Sequence, residues 1–248
     1  MATKKEVVSK NDNELAIIDE RPDWVNEDSG RGSEDVTAND ITLPRIDVLQ
    51  ALSPQIKRSN ANYIEGAEQG QIFNTISGQL YGSEIRFVPV VFKREYIVWQ
   101  DRDLGGGFRG AFATEQEAEQ ERRNLENPDS HEVVETHVHF ILILHNDGRI
   151  EEAVLSMSKS KRKISRKLNS LVQMFPGDRF ARVYKLLAVE VDGQKGEYWN
   201  FDVAPVGWAP KPIYDKGLAT YEAVGGGLRT VDRSYDESTG ARETDATV

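Results

Sequence analysis

A chain of 248 residues, 38% hydrophobic and 29% charged, is long enough for one or two domains with a substantial core. The net charge of −10 argues against a chain that is basic throughout, and the absence of cysteine excludes disulfides, thiolate metal sites and a thiol nucleophile. No run approaches the ~20 apolar residues of a membrane span and the start has no apolar signal core, so a protein outside the membrane, not exported, is expected.

Residues 1–40 carry eleven acidic side chains against Lys4, Lys5, Lys10, Arg21 and Arg31, without periodicity, which predicts a disordered acidic segment. ITLPRIDVLQALSP (41–54) is a proline-interrupted apolar entry with a short helix, and GQIFNTISGQLYG (70–82) alternates around Ser77 and Gly78 as a hairpin does. SEIRFVPVVFKREYIVWQDRD (83–103) reads as one long bent strand or two, with Pro89 marking a bulge or edge. Glycines 105–107 predict a mobile loop, and residues 114–126 a short acidic helix capped by Thr114. Two apolar runs within 132–158, joined at Asn146, Asp147 and Gly148, form a hairpin.

SKSKRKISRKLNSLVQMF (158–175) follows. Ile164, Leu168, Leu171, Val172 and Phe175 share one helical stripe, with Ser158 or Ser160 as cap and Pro176, Gly177 and Asp178 as stop. Arg162, Lys163, Arg166 and Lys167 cluster on the opposite face as two like-charge i,i+4 pairs, each costing an isolated helix about 0.2–0.5 kcal/mol. Cations in the first turns also oppose the helix dipole, so an anion lying against them is expected. Strands at 182–191 and 196–206, joined at Asp192 and Gly193, complete the pattern. The last twenty residues again read as disordered.

Strands outnumber helices and turns recur at short spacing, which predicts a mainly β, OB-like antiparallel barrel over 41–212, with a Gly-rich, mildly acidic, flexible tail over 213–248.

No phosphate loop is present, since neither glycine run precedes a helix with the required lysine. All four histidines lie between His131 and His145, but on a strand His145 is about 20 Å from His139, so only His137 and His139 can share an ion and no metal trio results. Asp101 and Asp103 flank the glycine loop without the remaining residues of a magnesium nuclease site. No catalytic residue, metal or cofactor is therefore assigned.

Charge segregation points elsewhere. Residues 158–185 hold nine basic side chains, Lys159, Lys161, Arg162, Lys163, Arg166, Lys167, Arg179, Arg182 and Lys185, against Asp178 alone. Aromatics interleave with further cations at Arg86, Lys93, Arg94, Tyr96, Trp99, Phe108 and Arg109. Arg182 and Tyr184 project to one side of their strand, and Tyr198 joins the stacking candidates. Cations for phosphates and rings for bases are what a sequence-tolerant single-strand binder requires. Phe87, Phe92, Trp199 and Phe201 read as core.

The acidic start, LPRIDVLQALSP, the GQIFNTISGQLYG hairpin, the aromatic strand 84–99 and the SKSKRKISRKLNSL helix together resemble bacteriophage-encoded single-stranded DNA-binding proteins, over roughly 41–205 and in layout. The resemblance implies an OB-fold that coats single strands in replication and recombination in the host cytoplasm, with acidic tails that engage replication or recombination proteins. The end, ETDATV, departs from the best-known tails, which close on a hydrophobic residue after an acidic run. A virion or scaffold-type interaction protein and a metal-dependent recombination nuclease are the alternatives.

Overall fold

The computed structural model describes residues 25, 31–36, 42–101, 106–193, 196–226 and 230–231. The chain divides into two units, Met1–Thr37 and Ala38–Val248. In the first, the Gly32 amide donates to Glu34 Oε2 (2.8 Å) in a turn within 31–36; the expected disorder of 1–40 otherwise lies outside the described residues, as does most of the C-terminal tail.

The second unit is mainly β. Its strands are β1 (Thr42–Leu43), β2 (Ile46–Val48), β3 (Ile72–Asn74), β4 (Leu80–Gly82), β5 (Glu84–Gln100), β6 (Gly107–Phe112), β7 (His131–Leu144), β8 (Ile150–Ser158), β9 (Arg182–Gly193), β10 (Gly196–Trp208) and β11 (Thr230–Val231). Helix α1 (Glu115–Asn124) precedes β7, α2 (Arg162–Gln173) follows β8, and α3 (Lys211–Gly225) follows β10.

The main sheet runs β10-β9-β5-β7-β8, with β6 also paired to β5. β5 organises it. β5 pairs β7 along nearly its whole length, β9 through Glu84–Phe87 and β6 through Tyr96–Gln100. The register slips between Pro89 and Val91, where proline has no N–H to give the ladder. β8 and β10 form the two edges and are not paired with each other, so the described strands make an open antiparallel sheet and not the expected closed barrel. β2, β3 and β4 form a second antiparallel sheet, and β1 pairs β11 in parallel.

Alternation along the strands gives the main sheet two apolar faces. On one, Phe87, Ile141, Ile143, Leu155, Met157 and Phe201 meet Leu168 of α2 and Ile46, Val48 and Ile72 of the small sheet. On the other, Val88, Val90, Leu142 and Val183 meet Phe180 and, from α3, Ile213 and Tyr214.

Three expectations need correction. α3 occupies 211–225, where a flexible tail was expected from residue 213; Gly217 is there because its Cα passes close to Phe180, whose side chain lies 2.8–3.1 Å from where a Cβ would stand. Gly107 opens strand β6, while 102–105 lie outside the described residues. The short helix expected in 41–54 is replaced by β1 and β2 and a 3-10 turn at Pro54–Ile56. Thr114 does cap α1, in a reciprocal box with Glu117.

Candidate nucleic-acid interface

Helix α2 lies across one face of the sheet, as its apolar stripe requires, with Leu168 fully buried. Its start differs from expectation. No serine side chain caps it; the chain leaves β8 through a 3-10 turn, Lys159–Lys161, in which Lys159 has a φ of 43°. That left-handed conformation is uncommon for a residue with a Cβ, and it turns the chain sharply from strand to helix.

The electrostatic problem posed by the basic helix is solved largely from within the chain. Lys159 pairs with Glu132 (3.2 Å), Lys161 with Asp47 (2.9 Å), Arg162 with Glu135, and Lys167 with Asp202 (2.5 Å). Each like-charge i,i+4 pair thus has one member neutralised, Arg162 beside Arg166 and Lys167 beside Lys163. Lys161 is only 6% exposed and its ammonium lies 5.5 Å from the Phe201 ring centre, so it holds the fold and cannot reach a phosphate. Burial raises the Asp47 carboxyl pKa, but Lys161 and Arg45 outweigh it and hold the net value below the usual range. Lys163 and Arg166 remain, exposed and without an ion pair among the described residues.

A directed hydrogen-bond chain fastens the helix to β7. Arg179 Nη2 lies 2.8 Å from His139 Nδ1, His139 Nε2 lies 2.7 Å from Ser165 Oγ, Ser165 Oγ lies 2.7 Å from His137 Nδ1, and His137 Nε2 lies 3.1 Å from Glu135 Oε1. An arginine only donates, so His139 Nδ1 accepts and its proton sits on Nε2. That N–H donates to Ser165, whose hydroxyl then donates to His137 Nδ1, and His137 Nε2–H donates to Glu135. Every proton has one place. Burial drives the His139 pKa well below its usual value, with Arg179 adding to the effect, and burial lowers His137 despite Glu135. Burial also lowers Arg179, to about 10. The Glu135–His137–Ser165 line has the connectivity of a nucleophilic triad, but Ser165 is 0% exposed and its hydroxyl is committed on both sides. It serves as an anchor.

At the helix's far end, Arg182 lies 3.6 Å from the Phe175 ring centre and 4.5 Å from that of Trp208. The two rings meet edge-on, 6.4 Å apart at 76°. Trp208 is 58% exposed and Met174 beside Phe175 is 72% exposed. Sequence reasoning missed Trp208. Its signal is the cross-strand register, which sets it opposite Arg182.

The other expected contacts do not converge. Tyr184 does face the same side as Arg182 but is 1% exposed and packs on Phe87, so it is core and not a stacking platform. Arg86 and Lys185 are cross-strand partners on the opposite face of the sheet from α2, two cations side by side. Lys93 covers the Phe140 ring at 5.4 Å. Arg94 joins Arg162 on Glu135 (3.2 Å) near the start of α2. Trp99 and Phe108 pack on each other edge-on at 5.9 Å, Arg109 donates to Gln100, and Tyr96 pairs with Phe112 in register. These last lie toward the far end of β5, about 40 Å from Arg86 at ~3.3 Å per residue. Tyr198 sits on the β9–β10 ribbon beyond β5, opposite Val191 and against Gly193. His145 Nε2–H donates to Glu151 Oε2 (2.9 Å), and no group of three metal-ligating side chains exists among the described residues.

A family model described as Pam3 phage gp34-like protein matches residues 10–230, and the chain belongs to that family. No curated protein and no solved structure matches it. No helix among the described residues is long and apolar enough to cross a membrane.

Proposed function

We propose that this member of the Pam3 phage gp34-like family binds single-stranded DNA without strong sequence preference, in the host cytoplasm during phage DNA replication or recombination, and that it is not an enzyme. The observation that carries the reading is the sorting of the basic helix. Four cations of the 158–175 stretch are consumed by the fold, while among the described residues Lys163 and Arg166 stay unpaired on the helix's outer face, and past the helix's C-terminal end stands the arginine-aromatic cluster of Phe175, Arg182 and Trp208. Charge held in solvent beside exposed rings fits phosphate and base together. An OB-like relation of the sheet, with β5 shared between β7 on one side and β9 and β6 on the other, belongs to this proposal, as does recruitment of replication or recombination proteins through the acidic termini.

Fluorescence anisotropy of an end-labelled oligothymidylate tests the reading. Binding to the single strand, with weaker binding to a duplex of equal length, is expected; no binding at low salt refutes it. The exposed Met174 and Trp208 favour a virion or scaffold interaction as the second reading, which that null result would leave standing.

A further inference from the structure

We infer that Trp208 seats a nucleobase. The inference rests on the single-strand reading above and goes on to name the subsite.

The geometry has three parts. Arg182 takes one face of the indole at 4.5 Å and Phe175 meets the indole edge-on, which fixes the ring although it stands at the last residue of β10. With those neighbours in place, 58% of Trp208 is still in solvent. Held rigid yet left open, the ring is pre-organised to stack, since its freedom is already lost before a ligand arrives. The Arg182 guanidinium has no carboxylate partner among the described residues, so the cluster carries a net positive charge. An acidic peptide or an uncharged apolar partner would meet only part of this chemistry; a base carried on a phosphate chain meets all of it.

The second part is the approach. Lys163 and Arg166 lie on the exposed face of α2, whose end at Gln173 is roughly 10 Å beyond Arg166 at 1.5 Å per residue, the reach of a few nucleotides, and Phe175 follows past that end. A strand whose phosphates meet the two cations would reach the ring by rounding the C-terminal end of the helix. The third part concerns the strand. A base inside a duplex hides both faces against its neighbours, so the seat selects unpaired nucleotides.

The test compares two probes of equal length and charge: an oligothymidylate, and the same backbone with abasic residues. Wild-type protein should bind the base-bearing probe more tightly. Trp208→Ala should weaken binding of that probe about 5- to 150-fold, the range that stacking of one base gives, leave the abasic probe within about twofold, and leave the salt dependence of both unchanged. Trp208→Phe should recover part of the loss. Equal loss for both probes would mean that Trp208 only positions the cations, and an unchanged affinity for both would mean that no base sits there; either overturns the inference while the single-strand reading stands. If wild-type protein binds neither probe, that reading falls and this one with it. Trp208 is exposed, so a folded variant is expected, and a far-ultraviolet circular dichroism spectrum matching wild type verifies it.

Discussion

Replacing Ser165 with alanine breaks the chain from Arg179 to Glu135 at its centre. His139 Nε2–H then has no acceptor and His137 Nδ1 no donor, both at buried side chains. Each orphaned buried group costs about 1–3 kcal/mol, so Ser165→Ala should lose about 2–5 kcal/mol near neutral pH, far more than loss of one exposed hydroxyl. The same chain sets an acid response. His139 is held well below its usual pKa by burial first and Arg179 second, so the unfolded chain takes up a proton near pH 6.5 that the folded chain refuses. Stability from this group is complete above that pH and is lost as pH falls. Between pH 7.5 and 5.0 His139 alone can cost at most about 2 kcal/mol, the amount reached if the folded chain takes up no proton there, and His137, also lowered by burial, adds to it. Glu135 and Asp47, whose pKa values are lowered on balance, contribute only at more acid pH. Urea denaturation of wild type, Ser165→Ala and His139→Gln across this range reads both effects. His139→Gln, although less stable, should lose its share of the pH slope. A wild-type stability that is flat from pH 7.5 to 5.0, or a Ser165→Ala cost below about 0.5 kcal/mol, refutes the assigned protons.

Lys161→Ala removes from Asp47, whose side chain is 15% exposed, its hydrogen-bonded cation and leaves Arg45 to offset the carboxylate, which should cost up to about 3–5 kcal/mol in chemical denaturation, whereas Lys163→Ala at the surface should cost almost nothing. Gly70→Ala should destabilise by about 1–3 kcal/mol, because Gly70 has a φ of +81° and its new Cβ would stand 2.8 Å from three atoms of the Trp199 ring. A thermal melt and a shifted tryptophan emission report it; an unchanged melting temperature would show that the loop yields freely.

The elements were more legible than their meeting. The β7–β8 hairpin, β9, β10, the long β5 and the basic helix follow from alternation, helical spacing and turn residues that act within a few positions. α3 escaped because its buried positions, Gly217, Thr220 and Val224, include two that carry no hydrophobic signal. Gly217 reads as a breaker until Phe180 is seen against it. The site fared worse for the same reason. Nothing near Lys161 in sequence announces Asp47, and the carboxylates that neutralise Arg162 and Lys167 come from β7 and β10. Tyr184 and Arg182 do share a side, but burial, which separates a core ring from a half-buried guanidinium two residues away, depends on what packs above the sheet. The helix's positive charge was legible; how much of it is already spent was not.

The salt dependence of single-strand binding tests the central claim most directly, because paired and unpaired cations must behave differently. If Lys163 and Arg166 meet phosphates, each contributes about 0.7 to the slope of log affinity against log salt. The double variant Lys163→Gln, Arg166→Gln should therefore flatten the slope by about 1.4 and leave stability within a few tenths of a kcal/mol. Arg162→Gln should lower stability through Glu135 and leave the slope close to that of wild type. A slope untouched by the double variant, or single-strand affinity that depends on Arg162 and not on Lys163 and Arg166, would contradict the account.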